Sequence, residues 1–145
     1  MTKVYRLGRG QRIANLVFAA MTRLGLGKRY RYILTVRGRR TGLARATPVD
    51  VMTTGGERFL VAPYGEVNWV RNLRAAEELT LARGGRVEAF RAEEIDGSDA
   101  APVIRSYLDA VPVTRGYWDV DEHATDAELA AQTTRHPVFR LTANN

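Results

Sequence analysis

The stretch richest in usable chemistry is Gly38-Arg39-Arg40-Thr41-Gly42-Leu43-Ala44-Arg45-Ala46-Thr47-Pro48. Its glycines let a tight turn bring backbone N–H groups close to a ligand. Arg39, Arg40 and Arg45 supply guanidinium donors from both sides of that turn, Thr41 and Thr47 supply hydroxyls, and Pro48 stiffens the exit. These residue types at this spacing make a cradle for phosphate or carboxylate groups. They equally fit a basic hairpin that holds no ligand. A second stretch follows: Ala62-Pro63-Tyr64-Gly65-Glu66-Val67-Asn68-Trp69-Val70-Arg71-Asn72-Leu73. It reads as the end of a strand, a Pro/Gly loop and the start of a helix. Backbone donors at such a helix start suit an anion or the polar edge of a ring. Tyr64 and Trp69 have the size to wall an aromatic cofactor, and Trp69 has equally the size to fill core.

Other catalytic side chains are few. The chain has two His, two Ser and no Cys. The missing cysteines exclude a disulfide scaffold, thiolate zinc, iron–sulfur clusters and a cysteine nucleophile. No nucleophile-elbow serine, dinucleotide glycine loop or phosphate-binding Lys loop is present. His123 and His136 lack metal-ligand spacing, so no metal is expected. Asp119, Asp121 and Glu122, beside Trp118, read as solvated loop acids. If the chain is an enzyme, a bound cofactor carries the reactive chemistry and the protein supplies grip and orientation.

Charge gives the partner a sign. Of 145 residues, 22 are basic and 16 acidic, for a net charge of +6. Residues 1–49 hold twelve Lys or Arg and no acid, and the first acid is Asp50. Residues 50–145 hold ten basic and sixteen acidic side chains. The N-terminal third therefore attracts an anion: a nucleic acid, an anionic membrane or a polyanionic small molecule. Twenty of the basic residues are Arg, which favours a bidentate grip. No apolar run approaches the ~18 residues of a membrane span, and a cytoplasmic protein is the default.

The length suits one domain over 1–145, with 45% of residues hydrophobic. Residues 1–27 read as an N-terminal amphipathic helical segment. Within it Ile13, Leu16, Val17, Ala20, Met21 and Leu24 form an apolar stripe. That stripe docks on the domain's own core, on a membrane surface or on a second subunit. Asn15 and Arg23 speak against a secretory signal. Strands are predicted at Arg31–Arg37, at Ala44–Thr53 with an interruption at Pro48, at Arg58–Ala62, and at Leu79–Ala82 and Arg86–Ile95 around Gly84-Gly85. A short helix is predicted at Asn68–Ala76, a longer one at Ala100–Val111, a third at Thr125–Gln132 and a last strand from Pro137 to Thr142. Consecutive antiparallel strands with peripheral helices imply an α+β fold whose sheet, of about six strands, closes into a small barrel.

The run LTVRGRRTGLARATPVDV, then RFLVAPYG, then NWVRNLRAAEELTLARGGRVEAFRAEEI resembles the deazaflavin-dependent nitroreductase family. The likeness spans roughly residues 30–95, and the ending HPVFRLT is also similar. The resemblance implies a split β-barrel, coenzyme F420 as cofactor, and hydride transfer to a quinone, an enone or a nitroaromatic. It puts Arg39, Arg40 and Thr41 on the cofactor's phosphate and tail side. Arg45, Ala46, Thr47, Pro48 and Val49 continue the cofactor wall. Ala62, Pro63, Tyr64 and Gly65 lie along the ring edge, and Asn68, Trp69, Arg71 and Asn72 close the site. Tyr107 and Tyr117 become candidate catalytic tyrosines over the ring, although Ala110–Val120 departs from the usual family pattern. A homodimer is implied as well. The alternatives are FMN in the same barrel, or a non-catalytic protein that carries a cofactor or a lipid. Nucleic-acid binding through residues 28–45 is disfavoured, because Ile33, Leu34 and Val36 make that segment a core strand.

Overall fold

Alternating apolar and polar residues, broken by glycine pairs, build six strands. They are β1 (Arg31–Arg37), β2 (Ala44–Thr54), β3 (Glu57–Val61), β4 (Glu78–Arg83), β5 (Arg86–Ile95) and β6 (Val138–Ala143). The computed structural model describes residues 29–121 and 123–144. The helix expected at residues 10–26, with its membrane or subunit contacts, lies outside them. The strands close into an antiparallel barrel in the order β1-β2-β3-β6-β5-β4. Among the described residues three helices are added: α1 (Asn68–Ala76), α2 (Gly97–Ala110) and α3 (Asp126–Ala131), with 3₁₀ turns at Pro112–Tyr117 and Gln132–Thr134. Thr125 and Glu128 form a reciprocal capping box at the start of α3.

The period-two alternation of each strand sorts side chains between two cores. Leu34, Val36, Val49, Val51, Leu60, Leu81, Phe90 and Phe139 fill the barrel interior, and Val70 and Leu73 of α1 belong to the same cluster. Outward-facing Met52, Phe59, Val61 and Val138 pack instead beneath Ile104, Tyr107 and Leu108 of α2. The barrel is thus filled from within and covered on one side.

Two expectations differ from the structure. Pro48 does not interrupt β2, which runs unbroken and pairs Pro48 with Ile33. The β2–β3 pairing spans only Val51 to Thr54, so one side of β2 is open at Pro48, where a missing N–H is tolerated. α2 begins at Gly97 rather than Ala100, which places Pro102 inside the helix.

Candidate cofactor site

The basic turn is built by its own backbone. Gly38 N–H donates to the Leu43 carbonyl at 2.8 Å, and Gly42 N–H to the Gly38 carbonyl at 2.9 Å. Gly42 sits at φ +72°, a conformation that strains any residue with a Cβ. The Thr41 hydroxyl is spent inside the turn, accepting from Leu43 N–H at 3.2 Å.

A long-range clamp then joins the two sequence stretches. Asn72 of α1 is buried, and its Oδ1 accepts from both the Arg39 backbone N–H at 3.1 Å and Arg39 Nη1 at 2.8 Å. Arg39 and Asn72 therefore hold the turn against the helix. Arg40 and Arg45 of the turn and Arg71 of α1 are exposed, and among the described residues they have no hydrogen-bond or ion-pair partner. Arg74, one turn along α1, contrasts with them: it binds Glu66 at 2.9 Å and Glu94 at 2.8 Å. Those two carboxylates raise its pKa further above the usual guanidinium value.

Strand alternation divides the expected cofactor wall. Val49 faces the barrel interior and is core, and Arg45 and Thr47 share its side of β2. Ala44, Ala46 and Pro48 lie on the outer face with Asp50. Their small side chains leave a shelf running from the turn. An open groove of about 420 Å³ adjoins the turn, lined by Thr35, Arg37, Gly42, Ala44, Thr80 and Ala89 among others. It does not reach Tyr64 or Tyr117.

The second stretch docks on the segment before β6. Ala62 and Pro63 are buried, Tyr64 is exposed, and Gly65 is half-buried at φ +85°. A Cβ on Gly65 would stand 3.2 Å from the Arg135 carbonyl. Ala62 N–H donates to the Pro137 carbonyl at 2.9 Å, and the His136 Nδ1 lies 3.2 Å from the Ala62 carbonyl. Tyr64 meets Tyr117 edge-to-face, with ring centroids 4.7 Å apart. In α1, Asn68 is exposed, while Trp69 is half-buried against the interior cluster, 6.1 Å from the Phe139 ring. Trp69 thus fills the barrel mouth.

Tyr107 is not at an open surface. It is 0% exposed in the core beneath α2, and its hydroxyl donates to Asp50 Oδ2 at 2.9 Å. Asp50 in turn binds Arg31 Nε at 2.6 Å. Neither Asp50 nor Arg31 was singled out as a partner from the sequence. The signal was there: Asp50 is the first acid in the chain, on the same strand face as Pro48. Burial above all, and then the Asp50 charge, push the Tyr107 phenol well above its ordinary pKa of 10.0. The folded state thus keeps a proton that the unfolded chain loses above pH ~10, so this group's stabilisation fades as pH rises past that point. Tyr107→Phe is expected to flatten the alkaline fall in stability, by up to ~1.4 kcal/mol per pH unit. Urea unfolding between pH 9 and 11 checks this, and parallel curves for both proteins would refute it.

The residues fit a flat group with an anionic tail: unpaired guanidiniums on a rigid turn, a shelf of small side chains, and an aromatic loop. A six-stranded antiparallel barrel carrying such a turn places the chain in the split-barrel fold class. Comparison narrows the class: the chain belongs to the F420H(2)-dependent quinone reductase family, whose model matches residues 17–134. It is therefore an F420-dependent oxidoreductase, of the deazaflavin group to which the sequence motifs pointed. The fold is shared with solved structures. One, described as a domain-swapped dimer, superposes with a TM-score of 0.60 at 18% identity over 92% of this chain and 94% of its own. The F420-H2-dependent reductase FDR-A gives 0.57 at 21% identity over 79% and 95%. HutZ, a heme storage protein from Vibrio cholerae, gives 0.57 at 12% identity over 81% and 84%. No curated protein sequence matches the chain.

Proposed function

We propose that this chain binds F420H2 at the β1–β2 turn and along β2 and reduces an electron-poor organic acceptor, with quinones preferred over enones and nitroaromatics. The observation that carries this reading is the set of exposed, unpartnered guanidiniums of Arg40, Arg45 and Arg71 around a turn that the Arg39–Asn72 clamp holds rigid. Empty positive charge on fixed backbone suits phosphate and a polycarboxylate tail. FMN, with a single phosphate, would leave much of that charge unused.

When bound, the reduced deazaflavin supplies a hydride. The chain does the rest. Arg40 and Arg45 hold the anionic end, with Arg71 adding charge from α1. Ala46 and Pro48 leave room for a flat ring, and the Ala62–Gly65 loop borders its edge. Tyr117, held edge-to-face by Tyr64, donates the proton or hydrogen bond that the acceptor oxygen needs as negative charge develops there. Tyr107 acts only through the core. We also take it to work as a homodimer in the cytoplasm; the similarity to a domain-swapped dimer supports the dimer. Among the described residues, no helix is long and apolar enough to cross a membrane.

The test is acceptor-dependent oxidation of F420H2, followed by its absorbance, with a quinone, an enone and a nitroaromatic. Turnover fastest with the quinone is expected. Tyr117→Phe should lower kcat roughly ten- to hundredfold with little change in KM. FMN bound in preference to F420 would move the protein to the flavin branch. Binding without turnover would make it a carrier.

A further inference from the structure

His136 is 3% exposed and sits two residues before β6, outside the basic turn and the Ala62–Leu73 stretch. Its Nδ1 lies 3.2 Å from the Ala62 carbonyl oxygen. A carbonyl has no proton to give, so Nδ1 must carry the hydrogen. In the neutral ring Nε2 is then a lone-pair acceptor, and that atom is buried with no hydrogen-bond partner among the described residues. Burial, the largest influence, lowers the pKa of this imidazole below its ordinary value and keeps it neutral. The ring stacks on Trp118, with centroids 3.9 Å apart and planes 23° from parallel. Trp118 Nε1 also lacks a partner, so the stack satisfies neither nitrogen.

A phenyl ring at this position would stack as well and would bury no orphaned nitrogen. A buried polar ring with one unsatisfied atom carries a desolvation cost. What sets it against phenylalanine is the other nitrogen, on Ala62. That carbonyl also receives Gly65 N–H at 3.3 Å, while Ala62 N–H goes to the Pro137 carbonyl at 2.9 Å. Gly65 lies so close to the Arg135 carbonyl that a Cβ there would approach it to 3.2 Å. The whole Ala62–Gly65 loop is therefore moulded on residues 135–137, and His136 provides the side-chain hydrogen bond in that mould. Behind His136, Trp118 rests 5.8 Å from the Tyr107 ring, which is tied to Asp50. The loop is thereby keyed to the same strand that carries the shelf.

We propose that His136 is a positioning residue: its Nδ1–H bond to the Ala62 carbonyl sets the path of the Ala62–Gly65 loop, and with it Tyr64, without touching the ligand. This rests on the reading that the loop borders the bound cofactor. Two substitutions separate the ring from the donor. His136→Phe keeps the ring and its stack on Trp118 but removes the donor. His136→Asn places an amide N–H near Nδ1 but removes the ring.

The experiment is calorimetric titration of the full-length protein with F420, alongside thermal unfolding of each variant. Loss of a hydrogen bond that orders the loop should weaken F420 binding about tenfold in His136→Phe, with its Tm held close to wild type. His136→Asn should bind within about threefold of wild type while its Tm falls, because the ring contact is lost. A merely structural role predicts the reverse order, with binding tracking Tm. Wild-type binding in His136→Phe, or equal losses in both variants, overturns the proposal. Long-range ¹H–¹⁵N spectra of the histidine ring read the bond without any cofactor. An Nδ1–H tautomer is expected, and an Nε2–H tautomer overturns the proposal even if the wild type fails to bind F420, which would itself sink the functional reading instead.

Discussion

Arg40→Ala combined with Arg45→Ala should weaken F420 binding roughly thirty- to hundredfold while leaving Tm nearly unchanged. Both guanidiniums are exposed and, among the described residues, have no acid to release, so removing them relaxes repulsion rather than breaking an ion pair. The loss should shrink steeply with added salt, since exposed charges are screened over about 10 Å at 0.1 M. FMN affinity should fall less, because one phosphate offers fewer contacts. Arg39→Ala should behave differently. Its guanidinium and backbone N–H both hold Asn72, so truncation loosens the turn from α1 and lowers Tm as well as affinity. Tryptophan fluorescence quenching at two salt concentrations measures the affinities, and thermal unfolding measures Tm. An unchanged F420 affinity in the double variant would remove the turn from the cofactor site.

Asp50→Ala should lower stability by about 3 kcal/mol. Asp50 is 7% exposed and serves two partners at once: Arg31 at 2.6 Å and the Tyr107 hydroxyl at 2.9 Å. Alanine takes one shared acceptor from a half-buried guanidinium and a fully buried phenol. Arg31 keeps 22% of its side chain in water, which limits the penalty on its side. For a domain of this size the loss corresponds to a Tm drop of about 6–12 °C. Asp50→Asn keeps an acceptor for Tyr107 and should cost less. Combining Asp50→Ala with Tyr107→Phe should cost about 1 kcal/mol less than the sum of the two, because the orphaned hydroxyl is gone. Additive losses in urea unfolding would show that the two residues do not act as a pair.

Local patterns in the chain were enough for most of the scaffold. The Gly84-Gly85 hairpin, the first strand and the bounds of α1 follow from alternation and turn chemistry, and they appear where expected. Pro112 ended the long helix as expected, but it also opened a 3₁₀ turn through Tyr117, since a proline suits the first position of a helix. The acid-free Arg turn was equally legible. What spacing could not show was the use each residue is put to. Asn72 stands 33 residues from Arg39, and Asp50 stands 57 from Tyr107. Both pairings are created only when the barrel closes. They give Arg39 and Asn72 a structural bond to each other and place Tyr107 in the core. Val49 shifts for a simpler reason: a strand cannot present five consecutive side chains to one ligand.

The strand order has a bearing on how the protein is made. β6, Val138–Ala143, is the last strand, yet it lies between β3 and β5. On the ribosome, the five described strands that precede β6 emerge with two raw edges, because β3 and β5 wait for a partner that has not been synthesised. Their free N–H and C=O groups are templates for a neighbouring chain. A protein cut just before Val138 would therefore be an open sheet prone to pairing with itself, not a slightly smaller barrel. The aggregation risk of this fold is concentrated in the interval between translating Ile95 and translating Ala143.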